Sequence, residues 1–301
     1  MKTRIFLSGM AVAVLSWSSL APAETALKFK FKDVVVAGST ETDTYAINNK
    51  GVIAGDYVDA AGAQHAALIK GTKVTTVDKA DCSPTPGTTG IQFFGINSNG
   101  DAVGWCTDTS SNQIAFKYSG GKVTNIKIKG ALLMNANGIN DNGNIVGTYI
   151  DSSGIQHGFL KIGKKVTNLD PPGVVGLATA FGINNNNVIT VYGQDSSGAY
   201  VSFTTKDKGK TYKPFHAPDE GSVGTAIHHI NSNGDIVATY FDANTNRHGV
   251  LFKNGKYTVI DDPDGVGSTR GNGINDTLVV VGRYAPADGV PPDQGYVAHP
   301  K

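Results

Sequence analysis

The stretch Gly138-Ile139-Asn140-Asp141-Asn142-Gly143, with Ile145-Val146-Gly147-Thr148-Tyr149 close behind it, contains the pattern that decides the fold. A first strand ends at Asn140, a tight turn follows, and a second strand runs to Tyr149; glycine suits the turn because it adopts a positive φ at little cost. A second turn at residues 151–154 precedes two further short strands, at residues 157–160 and 165–169. The pattern therefore predicts a repeat of four strands.

The dipeptide Ile-Asn occurs six times, at spacings of 43 to 49 residues. The six copies are Ile47-Asn48, Ile96-Asn97, Ile139-Asn140, Ile183-Asn184, Ile230-Asn231 and Ile274-Asn275. Glycine follows the asparagine at three residues in four of the repeats, and again at seven residues in four of them. A period of this length is typical of a four-stranded propeller blade. We therefore predict an all-β fold, a six-bladed β-propeller of four-stranded blades.

The two ends of the chain are predicted to share the last blade. The sixth repeat has three strands and ends near residues 295–298, whereas residues 29–36 match the position of a fourth strand. An N-terminal strand that completes the last blade would remove the open edges that a sheet must otherwise protect. We expect residues 24–301 to form this single propeller domain.

The first 23 residues are predicted to be a signal peptide. Lys2 and Arg4 precede an apolar stretch, and Ala21-Pro22-Ala23 has the small residues of a cleavage site. Cleavage near Ala23 would release a secreted or periplasmic protein. It would also change the formal net charge from +1 to −1, which gives no electrostatic reason to expect a nucleic acid partner. We expect no membrane insertion, and a monomer.

Cys82 and Cys106 are the two cysteines of the chain. In an exported protein such a pair predicts a disulfide. Cys82 lies in the loop that enters the second repeat, and Cys106 lies near the end of that repeat's second strand, so the two positions are expected on the same face of the blade. Two free, partly buried thiols are the alternative.

The repeat resembles the bacterial extracellular repeats of the HAF family, which are named after a His-Ala-Phe tripeptide. The residues that carry the resemblance are Gly-Ile-Asn-x-x-Gly, then Val-Gly-x-Tyr-x-Asp, then a counterpart of the tripeptide, as at His157-Gly158-Phe159. His65-Ala66-Ala67 and His248-Gly249-Val250 are further counterparts, whereas the second and fourth repeats lack the histidine. The resemblance implies secretion and a propeller-like repeat, and it implies no particular activity.

The repeated polar residues are interpreted as structural. Asparagine tolerates the left-handed conformation and its side chain can cap a turn. One aspartate per turn is too few for calcium, which gathers about 6–8 oxygens. His65, His157 and His248 lie on third strands of alternate repeats, roughly 20 Å apart by strand spacing, and so cannot share one zinc ion. We expect these histidines to bond locally, for example to the turn aspartate, and we expect no metal or cofactor.

Positions that vary between repeats on the first strand are the candidates for a ligand site. We define the mouth ring as the six residues that lie four positions before each Ile-Asn isoleucine. They are Asp43, Gln92, Asn135, Thr179, Ala226 and Arg270. The mouth ring follows the loops that join the blades, so it is expected around one opening of the axis. Together with His228, its polar members Asp43, Gln92, Asn135, Thr179 and Arg270 form the predicted ligand-binding set.

Two functions are compatible with these residues. The first is a secreted binding module for a small molecule or glycan, such as carbohydrate or cell-envelope material, with Trp105, Tyr149, Tyr192 and Tyr200 as aromatics that could stack on sugars. The second is an extracellular hydrolase or lyase with Asp43 and His228 as acid–base candidates, His228 exchanging a proton near neutral pH. An Asp43–Arg270 ion pair is the structural alternative for that part of the ring. No catalytic motif decides whether the protein is an enzyme.

Overall fold

The computed structural model describes residues 27–82, 90–286 and 293–301, and this part contains 24 strands and no helix. The first two repeats contain β2 (Ser39–Ile47), β3 (Ile53–Asp59), β4 (Gln64–Lys70), β5 (Lys73–Val77), β6 (Ile91–Ile96), β7 (Ala102–Thr107), β8 (Gln113–Ser119) and β9 (Lys122–Asn125). The next two contain β10 (Leu133–Ile139), β11 (Ile145–Ile150), β12 (Gln156–Ile162), β13 (Lys165–Leu169), β14 (Thr179–Ile183), β15 (Ile189–Gln194), β16 (Tyr200–Thr205) and β17 (Lys213–Phe215). The remainder are β18 (Thr225–Ile230), β19 (Ile236–Phe241), β20 (Arg247–Lys253), β21 (Lys256–Val259), β22 (Gly265–Ile274), β23 (Val280–Pro286), β24 (Gln294–Pro300) and β1 (Phe29–Asp33).

The strands pair into repeated four-stranded antiparallel units, which confirms the all-β prediction and the four-strand repeat. Strands β6–β9, β10–β13 and β14–β17 are separate four-stranded sheets. The other strands form one twelve-stranded sheet, in which three antiparallel units are joined by parallel contacts of one residue pair each, Thr42 with Gln294 and Arg247 with Ser268. Among the described residues, no helix is long and apolar enough to cross a membrane.

Strand β1 lies beside β24, in the fourth-strand position of the last unit. The pairing is antiparallel and runs from Phe29 opposite Pro300 to Asp33 opposite Tyr296. The ring of Phe31 contacts the buried ring of Tyr296, with centroids 5.3 Å apart. Strand β1 therefore provides hydrogen-bond partners for the backbone of β24, and its Phe31 ring packs on the ring of Tyr296. The predicted signal peptide, residues 1–23, lies outside the described residues.

The six Ile-Asn asparagines are buried and have the structural role that the sequence predicts. In the third repeat, Asn140 Oδ1 accepts backbone N–H groups from Asn142 and Asn144 and so caps its own turn. Asn140 Nδ2 donates to the backbone carbonyl of Asn184 in the following repeat, across 3.0 Å. Equivalent bonds run from Asn48 to Asn97, Asn97 to Asn140, Asn184 to Asn231, Asn231 to Asn275, and Asn275 to Asn48. We call this set the asparagine circle.

Apolar side chains fill the space between neighbouring units. Val103 of the second repeat, for example, packs with Ala136 and Phe159 of the third, and all three are fully buried. Burial of this kind is the main favourable contribution to folding. Each unit therefore depends on its neighbours for its core.

The glycine seven residues after the asparagine permits close approach of the first two strands. A Cβ atom on Gly104 or Gly282 would lie 1.8 Å from the carbonyl oxygen of Gln92 or Arg270, respectively. Both carbonyls belong to the mouth ring. Any larger residue at these glycines would push the ring out of place.

Cys82 and Cys106 form the predicted disulfide, with Cα atoms 5.7 Å apart. The neighbouring Asp108 pairs with Cys82 through an isolated β-bridge. The entering loop and the end of the second strand therefore meet on one face, as the repeat pattern implied.

Candidate functional site

The mouth ring lies on the first strand of each unit, and these strands surround a common axis. First strands of neighbouring repeats contact one another in sequence, and β22 of the sixth repeat contacts β2 of the first. At one end of this arrangement, a cavity of about 60 Å³ is lined by the Ile-Asn dipeptides of all six repeats. The mouth ring lies four residues earlier on each strand, toward the other end of the axis.

In each repeat, the mouth-ring residue on the first strand lies opposite a residue on the second strand. That residue comes eight positions after the Ile-Asn asparagine of the same repeat. The pairs are Asp43 with Asp56, Gln92 with Trp105, Asn135 with Thr148, Thr179 with Tyr192, Ala226 with Thr239, and Arg270 with Arg283. Asp56, Thr239 and Arg283 were not predicted from the sequence. The sequence contains one signal that could have identified them. The position eight residues after the asparagine varies between repeats, whereas the positions seven and nine residues after it are mostly glycine and tyrosine.

Buried polar atoms without a hydrogen-bond partner are concentrated at this level of the molecule. Of the eleven such side-chain atoms among the described residues, seven belong to these cross-strand pairs. They are Asp43 Oδ1, Asp56 Oδ1, Asn135 Oδ1, Thr148 Oγ1, Thr239 Oγ1, Arg270 Nε and Arg283 Nε. An unpaired buried polar group costs roughly 1–3 kcal/mol. Such a cluster is therefore expected where a polar ligand or ordered water completes the bonding.

A cavity of about 160 Å³ opens at the fourth to sixth repeats, and we call it the axial cavity. It is lined by Tyr192, Tyr200, Ala226, His228, Thr239, Phe241, Arg247 and Arg270. Three polar atoms of this lining, His228 Nδ1, Thr239 Oγ1 and Arg270 Nε, have no partner. The cavity therefore combines aromatic surface with free donors and acceptors.

The aromatic part of the axial cavity is held by ring contacts. The rings of Tyr200 and Phe241 are nearly parallel, with centroids 5.9 Å apart, and Tyr192 meets Tyr200 edge to face at 5.9 Å. The guanidinium carbon of Arg247 lies 5.4 Å from the centroid of Phe241. Tyr192 and Tyr200 thus lie where a stacking role requires them.

The other two aromatic candidates lie outside the axial cavity. Tyr149 contacts the ring of His157, and its hydroxyl donates to Asn168. Trp105 stacks on Phe94, with ring centroids 6.4 Å apart. Tyr149 therefore packs within its own repeat, and Trp105 packs on a ring that also contacts Tyr45 and Phe181 of other repeats.

Asp43 forms its ion pair with Arg283, and this corrects the expected pair with Arg270. The separation between Asp43 Oδ2 and Arg283 Nη1 is 2.6 Å, and the hydroxyl of Tyr45 donates to the same oxygen across 3.0 Å. Arg270 instead lies 4.0 Å from Asp293, which also lies 3.4 Å from Arg283. Arg283 lies on the second strand of the sixth repeat, directly opposite Arg270 in the strand pairing, and it is the arginine that reaches Asp43.

Asp43 and Asp56 form a buried pair of carboxyl groups, with 4% and 1% of their surface exposed. Burial raises the pKa of both groups. The charge of Asp43 raises the pKa of Asp56 further, whereas Arg283 and the Tyr45 hydroxyl oppose the rise at Asp43. Gln64 Nε2 donates to Asp56 Oδ2 across 2.6 Å. Asp43, proposed as an acid–base group, therefore has little surface available to a substrate.

His228 lies beside the axial cavity but does not have the proton affinity expected of it. Burial lowers its pKa to about 3, with further contributions from His229, Arg270 and Arg283. A pKa lowered in this way favours the neutral imidazole, which argues against the expected proton exchange near neutral pH. A neutral ring still offers one donor and one acceptor nitrogen.

The remaining predicted ligand-binding residues are distributed around the mouth ring. Gln92 is buried beside Trp105, and Asn135 is half-buried with an unpartnered Oδ1. The hydroxyl of Thr179 accepts a bond from Gln156 across 3.2 Å. Of the predicted set, His228 and Arg270 are thus the two that line the axial cavity.

His65, His157 and His248 have the local bonding role expected from the sequence. Their Nε2 atoms lie 3.3 to 3.5 Å from the turn aspartates Asp59, Asp151 and Asp242. Their Nδ1 atoms lie 2.7 to 2.8 Å from a second set of aspartates, Asp78, Asp170 and Asp261. Each histidine is a bridge between two loops of its own repeat.

Comparison with solved structures shows a β-propeller-like fold. The SapL1 lectin in complex with α-methyl fucoside has a TM-score of 0.55 at 12% identity, over 87% of this chain and 94% of the lectin. The fucose-specific lectin from Aleuria aurantia has a TM-score of 0.52 at 13% identity, over 91% and 95% of the two chains. A Trypanosoma rangeli sialidase has a TM-score of 0.53 at 10% identity over 87% of this chain, which spans about half (54%) of the sialidase.

Sequence comparison adds no family. No family model matches the chain, and a search of curated proteins finds no match. At 10 to 13% identity the structural similarity concerns the fold alone.

Proposed function

We propose that this protein is an exported six-bladed β-propeller that binds carbohydrate in the axial cavity. The observation that carries the proposal is the composition of that cavity. Aromatic faces of Tyr200 and Phe241 lie beside buried polar atoms of His228, Thr239 and Arg270 that have no protein partner. A sugar ring presents an apolar C–H face and hydroxyl groups that both donate and accept, which matches this lining.

Two features support six blades closed by the N-terminal strand. The asparagine circle passes through six repeats and returns from Asn275 to Asn48. Strand β1 provides the last four-stranded unit with its outer strand. A ring closed in this way leaves short, protected edges.

Export is supported by two independent features. The disulfide between Cys82 and Cys106 is of the kind that persists in oxidising compartments. The resemblance of the repeat to HAF proteins also implies secretion. The signal-peptide pattern of residues 1–23 agrees with it, and we infer cleavage near Ala23 and residues 24–301 as the mature domain.

Binding is preferred to hydrolysis because of the state of the two acid–base candidates. Asp43 is buried and bonded to Arg283 and Tyr45. His228 is neutral, since burial lowers its pKa to about 3. Similarity in fold to sugar-binding proteins, the SapL1 and Aleuria aurantia lectins, agrees with binding.

A glycan array probed with the mature protein tests this proposal. The expected result is binding to a defined set of glycans that falls by about tenfold or more in Tyr200→Ala and in Phe241→Ala, because aromatic stacking is lost. Tyr149→Ala is the matched control, since Tyr149 lies outside the axial cavity, and it should bind as the parent does. Equal binding by all three variants, each shown to be folded, would place any sugar site elsewhere.

A further inference from the structure

Positive charge is concentrated at the axial cavity. Among the described residues, its lining includes Arg247 and Arg270 and no acidic side chain. Burial, followed by the charges of Arg283 and Arg247, lowers the pKa of Arg270 to about 10. The protonated guanidinium of Arg270 is therefore held in a region that already repels positive charge.

The nearby acidic side chains do not offset this charge at the cavity. Asp43 is bonded to Arg283 at 2.6 Å, on the side of the axis that belongs to the first repeat. Asp293 lies closer to Arg283, at 3.4 Å, than to Arg270, at 4.0 Å. Asp43 and Asp293 thus both lie closest to Arg283. The acidic group beside Arg270 is Asp293, which is 4.0 Å away and also contacts Arg283.

Arg270 also has a free donor. Its Nε atom is buried and has no hydrogen-bond partner in the protein. Guanidinium groups bind planar anions through two parallel hydrogen bonds, and such charge-assisted bonds are about twice as strong as neutral ones. A partly buried arginine with an unused donor beside an open cavity has the groups needed to bind an anion.

We propose that the axial cavity binds a saccharide that bears a carboxylate, such as a uronic acid residue, with the carboxylate on Arg270. This inference rests on the proposed carbohydrate function and specifies its ligand. The sugar ring lies against Tyr200 and Phe241, and Thr239 and His228 bond to its hydroxyl groups. Arg247, whose guanidinium lies over Phe241, adds a second positive charge on the aromatic side.

Matched probes test the charge requirement by titration calorimetry. The probes are an oligogalacturonate trisaccharide and the same trisaccharide after reduction of its carboxyl groups to primary alcohols. We expect the acidic probe to bind at least about tenfold more tightly, and its affinity to fall as salt rises from 50 to 500 mM, because a charge-assisted contact is screened. The affinity of the reduced probe should change little with salt.

Three variants locate the charge. Arg270→Gln and, independently, Arg247→Gln should weaken binding of the acidic probe and leave binding of the reduced probe nearly unchanged. Lys122→Gln removes the same charge from an exposed position on β9 and should have no effect. The Arg247 variant keeps the test valid if Arg270→Gln does not fold.

The outcomes separate the two proposals. If both probes bind equally, the carboxylate inference is wrong and the carbohydrate function stands. If a sulfated trisaccharide binds and the uronate does not, the anion is not a carboxylate and the inference is again wrong. If no saccharide, acidic or neutral, binds at millimolar concentration, the proposed function itself fails.

Discussion

The side-chain amide of Asn275 donates a hydrogen bond to the backbone carbonyl of Asn48 across 3.3 Å and joins the last repeat to the first. The two residues are separated by 227 positions in sequence. Contacts at this separation form late and cost chain entropy, so the bond contributes only when the other repeats are in place. The asparagine circle should therefore behave as one cooperative element.

Asn140→Ala tests the asparagine circle. The change removes the acceptor of the backbone N–H groups of Asn142 and Asn144, and it removes one of the two hydrogen bonds that the carbonyl of Asn184 accepts. We expect the free energy of unfolding, measured by denaturant titration, to fall by about 3 kcal/mol. Asn142→Ala, at an exposed position of the same turn, should change it by less than about 0.5 kcal/mol. Similar losses for both variants would show that the circle contributes no special stability.

Deletion of residues 24–36 tests the role of β1. The deletion exposes the hydrogen-bonding edge of β24 and the ring of Tyr296, so we expect a lower melting temperature and aggregation. Light scattering during a thermal melt measures both effects. A shorter deletion of residues 24–26 stops before β1 and serves as the control. A soluble long deletion with unchanged melting would count against closure by this strand.

The Cys82–Cys106 disulfide encloses a segment with a sequence separation of 24. In the chain-entropy model, its loss should destabilise the fold by about 3 kcal/mol. The Cys82→Ala/Cys106→Ala double variant and the reduced parent protein should show the same loss in denaturant titration. Thiol titration gives the independent check, since the oxidised parent should have no reactive thiol. Two titratable thiols in protein made under oxidising conditions would contradict the pairing.

The three histidine bridges predict a loss of stability on the alkaline side of neutrality. Partial burial opposes protonation of His65, His157 and His248, but bonds and charges of the flanking aspartates outweigh it and raise each pKa above 6.5. A raised histidine pKa gives stability that is complete below the unfolded value and is lost as the pH rises through the folded value.

Melting temperature measured from pH 5 to pH 9 checks this dependence. The parent protein should lose stability as the pH rises above about 6.5, and a variant with His→Gln at all three positions should lose less over the same range. His216→Gln, which alters a solvent-exposed histidine, is the control. Parallel pH profiles for the parent and the triple variant would remove the histidines as the cause.

Asp56→Asn should stabilise the protein at alkaline pH. Burial, and then the charge of Asp43, raise the pKa of Asp56, so its ionisation costs stability as the pH rises. The asparagine keeps an acceptor for Gln64 and adds a donor where Asp43 Oδ1 has none. We expect the free energy of unfolding, measured by denaturant titration, to rise by about 1 kcal/mol or more at pH 8. The difference from the parent protein should shrink toward pH 4. A loss of stability at pH 8 would mean that the Asp56 carboxylate is needed.

The repeat was predictable from sequence because each copy contains its own turn chemistry. Asn140 and Gly143 specify the turn between the first two strands wherever they recur, and the spacing gives the length of the unit. The Cys82–Cys106 pair followed from the same strand order. Local residues at a fixed period thus determine the unit and its disulfide.

The composition of the site was less predictable because it depends on an irregularity between strands. The register shifts by one residue between Thr44 and Ala46, so Asp43 faces Asp56 and not Tyr57. The same shift brings Arg283 opposite Arg270. A bulge of this kind adds one unpaired residue and moves every later pair by one position. The repeat pattern does not show where this bulge lies, so the sequence could not identify Arg283 as the partner of Asp43.

The pairing of β1 with β24 has a consequence for biogenesis. Of the described strands, β1 leaves the ribosome first and β24 last, so the earliest strand must wait for nearly the entire domain before it meets its partner. Until then β1 is an unpaired apolar segment with alternating Phe and Lys residues, open to capture by other chains. The pairing of β1 with β24 therefore belongs to a late folding step, after the residues of β24 have emerged.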